Sequence, residues 1–235
     1  MVNMSEQIDD GLPISEVGIW GEYKYRMIRN YCDLFTNAMR GKWDHLVYID
    51  LFSGSGLVKL RDTNKLAYGS PMISLGLKVQ FDSYIFCDAS KTNLDTLRKR
   101  VEKAYPHIDV NYVVSDVNKA VDKIHEILPR PSKSYTVLCL CLSDPFRMSN
   151  LNFNTIKKLS NRFMDHLVLI PTYMDANRNI KVYLKPNNKR IFNFTGIKDW
   201  REQWAEVEAK GVGFDIFLTD CYGASLERDT VKCCV

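Results

Sequence analysis

The chain has 235 residues, 46% of them hydrophobic and 26% charged, with a net charge of +4. That length and mix fit one domain with a sizeable apolar core and exclude a disordered or low-complexity chain. The mild charge permits an anionic partner such as RNA or DNA without requiring one, and no apolar run reaches the roughly 20 residues that span a bilayer.

Residues 1–19 read as a flexible N-terminal segment, polar and acidic up to Pro13. No basic stretch followed by an apolar one opens the chain, so no signal peptide is expected and the expected address is cytoplasmic. Over 20–39, Tyr23, Met27, Tyr31, Leu34, Phe35 and Ala38 recur at helical spacing, and Gly41 supplies a stop. Residues 46–52 are a short β-prone run ending in a Gly-rich turn, followed by a polar loop. Ser70-Pro71 fits a helix start with Pro in the first turn, running through Met72, Leu75 and Val79. Strands are then expected at 83–87, 110–114, 135–142 and 166–170, with helices over 91–105, 117–128 and 153–163 between them. After Tyr173 the chain reads as a helical C-terminal extension, with helices over 199–210 and 214–227 and, as an alternative for the latter, a lone strand at 216–219.

Strands separated by helices imply βαβ units, hence an α/β fold with a doubly wound, mostly parallel sheet. Residues 20–235 are expected to form one domain. Continuous hydrophobicity in the runs at 46–52, 135–142 and 166–170 implies that both sheet faces are covered.

The chain has 7 cysteines. Cys139 and Cys141 share one face of a predicted strand, but no second Cys/His pair at zinc spacing accompanies them, so a buried structural role is expected and no metal. The odd count argues against a disulfide scaffold. His45, His107, His125 and His166 form no shared constellation and read as surface or packing residues.

Ligands of such sheets bind at the carboxyl ends of the strands. The first predicted strand ends Asp50-Leu51-Phe52-Ser53-Gly54-Ser55-Gly56. Its glycines let backbone approach a ligand, and Asp50 either accepts from an ammonium group or anchors the loop. Asp88 ends the next strand, where a carboxylate can accept both ribose hydroxyls of an adenosine ligand or merely start a turn. Asp116 follows the third, where it can meet an adenine amino group or cap a helix. The dinucleotide fingerprint lacks its third glycine, Lys59 standing there, and no Gly-Lys-Ser/Thr follows Gly54. A carboxylate near the loop suits the sulfonium cation of S-adenosylmethionine better than a pyrophosphate.

Asp144, Pro145 and Phe146 end the fourth strand. Their order resembles the Asp/Asn/Ser-Pro-Pro-Tyr/Phe motif of methyltransferases acting on exocyclic amino groups of bases. There the side-chain oxygen and a prolyl carbonyl accept from the target NH₂, and the aromatic ring stacks on an unpaired or flipped-out base. This chain has a single Pro, and the register is open between Ser143–Phe146 and Asp144–Arg147. The alternative is a Pro that ends a strand, with Phe146 in the core.

Taken together, these marks resemble the three-Cys-motif partner protein family, a branch of the class I methyltransferase-like proteins. They are the helix carrying Trp20, Lys24, Ile28, Tyr31 and Phe35, then Tyr48-Ile49-Asp50-Leu51-Phe52-Ser53-Gly54-Ser55-Gly56, Gly69-Ser70-Pro71, Phe86-Cys87-Asp88 and Asp144-Pro145-Phe146. The resemblance implies a Rossmann-like fold, S-adenosylmethionine as cofactor, and partnership with a radical-SAM-like protein bearing three cysteines. Arg147 stands where family members often have Gly. The antiparallel strand pair that usually closes the class I sheet is not evident.

The expected function is S-adenosylmethionine-dependent methyl transfer, with Asp144, Pro145 and Phe146 as the acceptor site and Asp50, Phe52, Gly54, Gly56, Asp88 and Asp116 around the cofactor. The rival is a catalytically degenerate, cofactor-binding partner subunit. A dehydrogenase is disfavoured by the glycine spacing.

Overall fold

The computed structural model describes residues 9–18 and 20–229. Cys233, Cys234 and the first eight residues of the segment expected to be flexible lie outside these. The chain forms two compact units, Met1–Leu142 and Ser143–Val235.

The first unit runs β1 (Ser15–Val17), α1 (Trp20–Met39), β2 (His45–Asp50), β3 (Leu57–Leu60), β4 (Leu66–Tyr68), α2 (Ser70–Leu75) and β5 (Ser83–Asp88). It continues with α3 (Lys91–Ala104), β6 (Val110–Val114), α4 (Val121–Ile127) and β7 (Val137–Ser143), the last residue of which opens the second unit. β2 lies between β5 and β7, parallel to both, and β6 is parallel to β5 on the outside. The sheet has five strands in the order β6-β5-β2-β7-β8, where β8 is Met164–Val168. This is the doubly wound, Rossmann-like α/β fold expected from the alternating pattern. Every residue of β7 is buried, as are all but one end residue in each of β2 and β5. A parallel strand is buried throughout only when both faces are covered, as the continuous apolar runs at 46–52 and 135–142 predict. β8, at the edge of the sheet, is only half-buried after Met164, although the run at 166–170 carried the same expectation.

Local chemistry sets the ends of the helices. α2 opens with Pro71 in its first turn and closes at Gly76, shorter than the predicted run through Val79. α3 starts where the Ser90 hydroxyl accepts from the Asn93 N–H at 3.3 Å. The single helix predicted over 117–128 is split into a 3₁₀ turn (Val117–Lys119) and α4.

A second sheet of three strands, in the order β1-β3-β4, occupies what was expected to be a flexible segment and a polar loop. β1 runs parallel to β3, with Ser15 opposite Val58, and β4 returns antiparallel, with Tyr68 opposite Leu57. Strands of three and four residues are too short to show a period in the sequence. Just before β1 the chain is tied down by Arg100 of α3. Its Nε and Nη2 donate to the two Asp10 carboxylate oxygens at 2.7 and 2.8 Å. Nη2 also reaches Leu12 O at 3.3 Å, and Nη1 reaches Pro13 O at 3.1 Å and Ser55 O at 2.6 Å. All five guanidinium N–H groups are thereby used.

In the second unit, a 3₁₀ turn (Met148–Asn150) and α5 (Phe153–Leu159) precede β8. Beyond β8 come a π-helical turn (Thr172–Ala176), α6 (Asn177–Tyr183), α7 (Arg190–Thr195), α8 (Trp200–Glu208) and α9 (Phe214–Asp229). The expected helical C-terminal part is present, and the stretch weighed as a lone strand at 216–219 is helix. Phe214, Phe217, Leu218, Cys221 and Tyr222 are buried at the spacing of one helical face. Tyr222 packs on Phe194, with ring centroids 4.8 Å apart, and Trp204 meets Phe214 edge-on at 4.9 Å. The buried Asp175 carboxylate accepts from Met148 N at 2.8 Å, Asn179 Nδ2 at 3.0 Å and Tyr183 OH at 2.5 Å. Among the described residues, no helix is long and apolar enough to cross a membrane.

Candidate functional site

The loop after β2 is held from beneath by Asp50. Its carboxylate is fully buried, accepting the Phe52 N–H at 3.1 Å and facing the Tyr48 hydroxyl at 3.4 Å. Burial and the neighbouring carboxylate push the Tyr48 hydroxyl well above its ordinary pKa, so it stays protonated. Of the two roles weighed for Asp50, this geometry serves the loop-anchoring one. Ser53 stitches the loop to β5, its N–H and hydroxyl both donating to Cys87 O at 3.0 and 3.1 Å.

Gly54 and Gly56 have φ of +62° and +90°, the left-handed region that disfavours side chains. Their surroundings differ. A Cβ on Gly54 would meet nothing within 4 Å, whereas one on Gly56 would lie 2.8 Å from Leu97 Cδ1 and 3.2 Å from Met72 Cγ. Gly54 therefore faces open space, and Gly56 lets the loop lie against α2 and α3. The Gly56 carbonyl accepts from Gly69 N at 2.8 Å, which joins the Gly69-Ser70-Pro71 segment to the same loop.

Asp88, at the end of β5, is half-buried and turns to the glycine loop. Its Oδ2 accepts the Gly54 N–H at 2.9 Å, and its Oδ1 accepts Ser90 N at 2.7 Å and Asn93 Nδ2 at 3.2 Å. Asp88 and Gly54, separate signals in the sequence, are thus in direct contact. Asp116 is exposed and caps the 3₁₀ turn that follows it, accepting from Asn118 N at 2.9 Å. Ser115 N donates to Asp88 O at 3.1 Å, so the ends of β5 and β6 are joined. Phe52 is half-buried.

The described cysteines form no disulfide and are buried. Burial raises the Cys32 and Cys87 thiols to about 12, which makes them inert hydrophobes rather than nucleophiles. Among the described residues no group of three His, Cys, Asp or Glu could hold a metal. The histidines stand apart: His45 bonds Ser83 and Tyr135, and His166 bonds Ser160.

Ser143, Asp144, Pro145 and Phe146 open the second unit. The Ser143 carbonyl accepts from Leu169 N–H at 2.9 Å, while its fully buried Oγ has no hydrogen-bond partner among the described residues. Asp144 is half-buried and Pro145 buried, and Phe146 is 72% exposed with the Arg147 guanidinium 5.8 Å from its ring centroid. The alternative in which Phe146 packs in the core does not hold.

Sequence reasoning missed Arg100, whose bond to Ser55 O fixes the glycine loop from the α3 side. An Arg in the middle of an amphipathic helix carries no signal that its partners lie 45 and 90 residues away.

No family model matches the chain. No curated protein matches it either. Among solved structures it is similar to a protein from Legionella pneumophila at 18% identity, with a TM-score of 0.42 over 61% of this chain and 67% of that one. An rRNA methylase from Streptococcus thermophilus is similar at 9% identity and TM-score 0.38, over 70% of this chain and 78% of that one. An S-adenosylmethionine-dependent methyltransferase from Clostridium acetobutylicum is similar at 12% identity and TM-score 0.36, over 62% and 50%. The chain is characterised by its own strand order and by the loop after β2.

Proposed function

We propose that the chain binds S-adenosylmethionine at residues 52–56 and catalyses methyl transfer to an amino group of a nucleobase. The observation that carries the reading is the loop's position. It leaves β2 where the strand order turns from β5 on one side to β7 on the other, the switch point at which doubly wound sheets bind ligands.

The residues around the loop fit that cofactor. Gly54 leaves open space beside the backbone, where the methionine part lies. A carboxylate offers about four acceptor sites. The bonds from Gly54, Ser90 and Asn93 use three at Asp88, which leaves Oδ2 able to accept from a ribose hydroxyl. Asp116, exposed at the end of β6, takes the adenine amino group, and Phe52 lines the same loop. Asp50 keeps the loop in place through the Phe52 N–H. When bound, the cofactor supplies an electrophilic methyl on a sulfonium.

The protein's remaining work is positional. Asp144 accepts one N–H of the acceptor amino group and orients its nitrogen, the Pro145 carbonyl accepts the other N–H, and the exposed Phe146 ring stacks on the base. An amino acceptor needs no strong general base because its proton leaves late.

A second reading rests on Arg147, whose guanidinium sits by the Phe146 ring in the place where the resembling family often has Gly. In that reading the chain is a catalytically degenerate, cofactor-binding subunit for a radical-SAM-like three-Cys-motif protein. Labelled S-adenosylmethionine incubated with RNA, single-stranded DNA and duplex DNA separates the two. Transfer to an unpaired base, abolished by Asp144→Ala with cofactor affinity kept within about threefold, supports the enzyme. Transfer only to protein or a small carboxylate rejects the base acceptor, and binding without any transfer favours the subunit.

A further inference from the structure

Helix α1 has two apolar faces. One is buried in the first unit through Tyr25, Ile28, Cys32 and Phe35. The other is exposed: Trp20 70%, Tyr23 52%, Met27 47%, Tyr31 36% and Leu34 70%. At 3.6 residues per turn these five fall within an arc of about 80°. Glu22, Arg26 and Asp33 lie outside the stripe, the Arg26 guanidinium folding over the Tyr23 ring at 5.2 Å, while Lys24 borders it beside Tyr31 with its Nζ 4.7 Å from the Tyr25 ring centroid. The stripe adjoins the buried face on one side, so the apolar surface of α1 is wider than the first unit covers.

The spacing of the stripe says what covers it. Its steps are three, four, four and three residues, so the pattern reads the same from either end and is centred on Met27. Laid antiparallel on a copy of itself about a two-fold axis at Met27, Trp20 meets Leu34, Tyr23 meets Tyr31 and Met27 meets Met27. A surface that is its own complement under two-fold rotation is what an isologous dimer requires. A single-stranded nucleic acid would use the aromatic rings but has no need of Met27 and Leu34, nor of the mirror order. The exposed side chains offer on the order of 500 Å² per copy. Two copies then bury at most about 1,000 Å², the size of a weak, reversible interface rather than a permanent one.

We infer that the exposed face of α1 is a homodimer interface, in which the stripe packs antiparallel against the same stripe of a second copy. Sedimentation of the full chain up to about 100 μM should show a monomer–dimer equilibrium. Met27→Glu, which sets a charge against itself on the axis, should weaken dimerisation at least tenfold with an unchanged circular dichroism spectrum. Trp20→Glu and Leu34→Lys should each weaken it, and combining them in one chain should restore it, because positions 20 and 34 face each other across the axis. A parent chain that stays monomeric overturns the inference. So does a dimer indifferent to Met27→Glu, or a double variant weaker than both singles. A monomer whose Trp20→Ala variant loses binding to single-stranded RNA assigns the stripe to nucleic acid instead and also overturns it.

Discussion

Asp88 accepts the backbone N–H of Gly54 at 2.9 Å. The acid proposed to hold the ribose and the glycine loop proposed to hold the methionine part are therefore one mechanical piece. Asp88→Ala should weaken cofactor binding at least tenfold by removing both the ribose acceptor and the loop's support. It should also cost about 2 kcal/mol of stability, since hydrogen bonds to a charged acceptor are lost. Calorimetric titration and urea denaturation of the same samples read the two effects. Full affinity in the variant would sink the cofactor assignment.

The two glycines should respond differently to alanine. Both pay for a left-handed φ, about 1 kcal/mol for a residue with a Cβ. Only Gly56→Ala adds a close approach to Leu97 and Met72, raising its cost to about 2–3 kcal/mol. Denaturation midpoints should therefore fall further for Gly56→Ala than for Gly54→Ala. The reverse order would mean that the space beside Gly54 is not open.

Arg100 cannot be replaced by lysine, whose single ammonium has three donors where five are used. Arg100→Lys should cost about 2 kcal/mol and loosen the glycine loop through Ser55, seen as faster amide exchange at residues 53–56. Its partner gives a pH signature. The guanidinium holds the Asp10 carboxyl below its ordinary pKa, so the stabilisation is complete above the ordinary carboxylate range and is lost as pH falls through the lowered value. Asp10→Asn should thus be less stable than the parent at pH 7, with the gap closing below about pH 4. A gap that stays constant down to pH 3 would remove the ion pair from the account.

Much of the first unit was legible in the sequence because its elements are long or continuously apolar. The helix predicted over 20–39 and the strand over 110–114 match α1 and β6 residue for residue. The predicted strand at 166–170 sits two residues late relative to β8, since Met164 and Asp165 carry no strand signal before His166. β1, β3 and β4 were missed because such short strands gain their stability from one another and from buried Leu57, Val58 and Leu60, contacts that exist only after folding. The candidate site was legible only as residue types expected at strand ends. That Asp50 is sealed off and Asp88 bonds Gly54 was not, because a carboxylate's partners depend on a register between strands 34 residues apart.

His166 predicts a second pH effect. Burial lowers its pKa to about 4 from 6.5, so below pH 6.5 the unfolded chain takes up a proton that the folded chain refuses. Stability should fall as pH drops from 6.5 toward 4, by on the order of 2 kcal/mol for a part-exposed ring. His166→Gln should flatten that fall in urea midpoints measured between pH 4.5 and 7.5. An unchanged slope would place the titrating group elsewhere.

The bond between Asp10 and Arg100 joins residues 90 positions apart. During synthesis at about 5–20 residues per second, the segment carrying Asp10 waits roughly 5–18 s on the ribosome before its arginine exists. β1 can pair with β3 during that wait, but the tether to the glycine loop cannot close until α3 has been made. The early chain is therefore born with its glycine loop unlatched, and that loop takes its final shape only once the later helix reaches it.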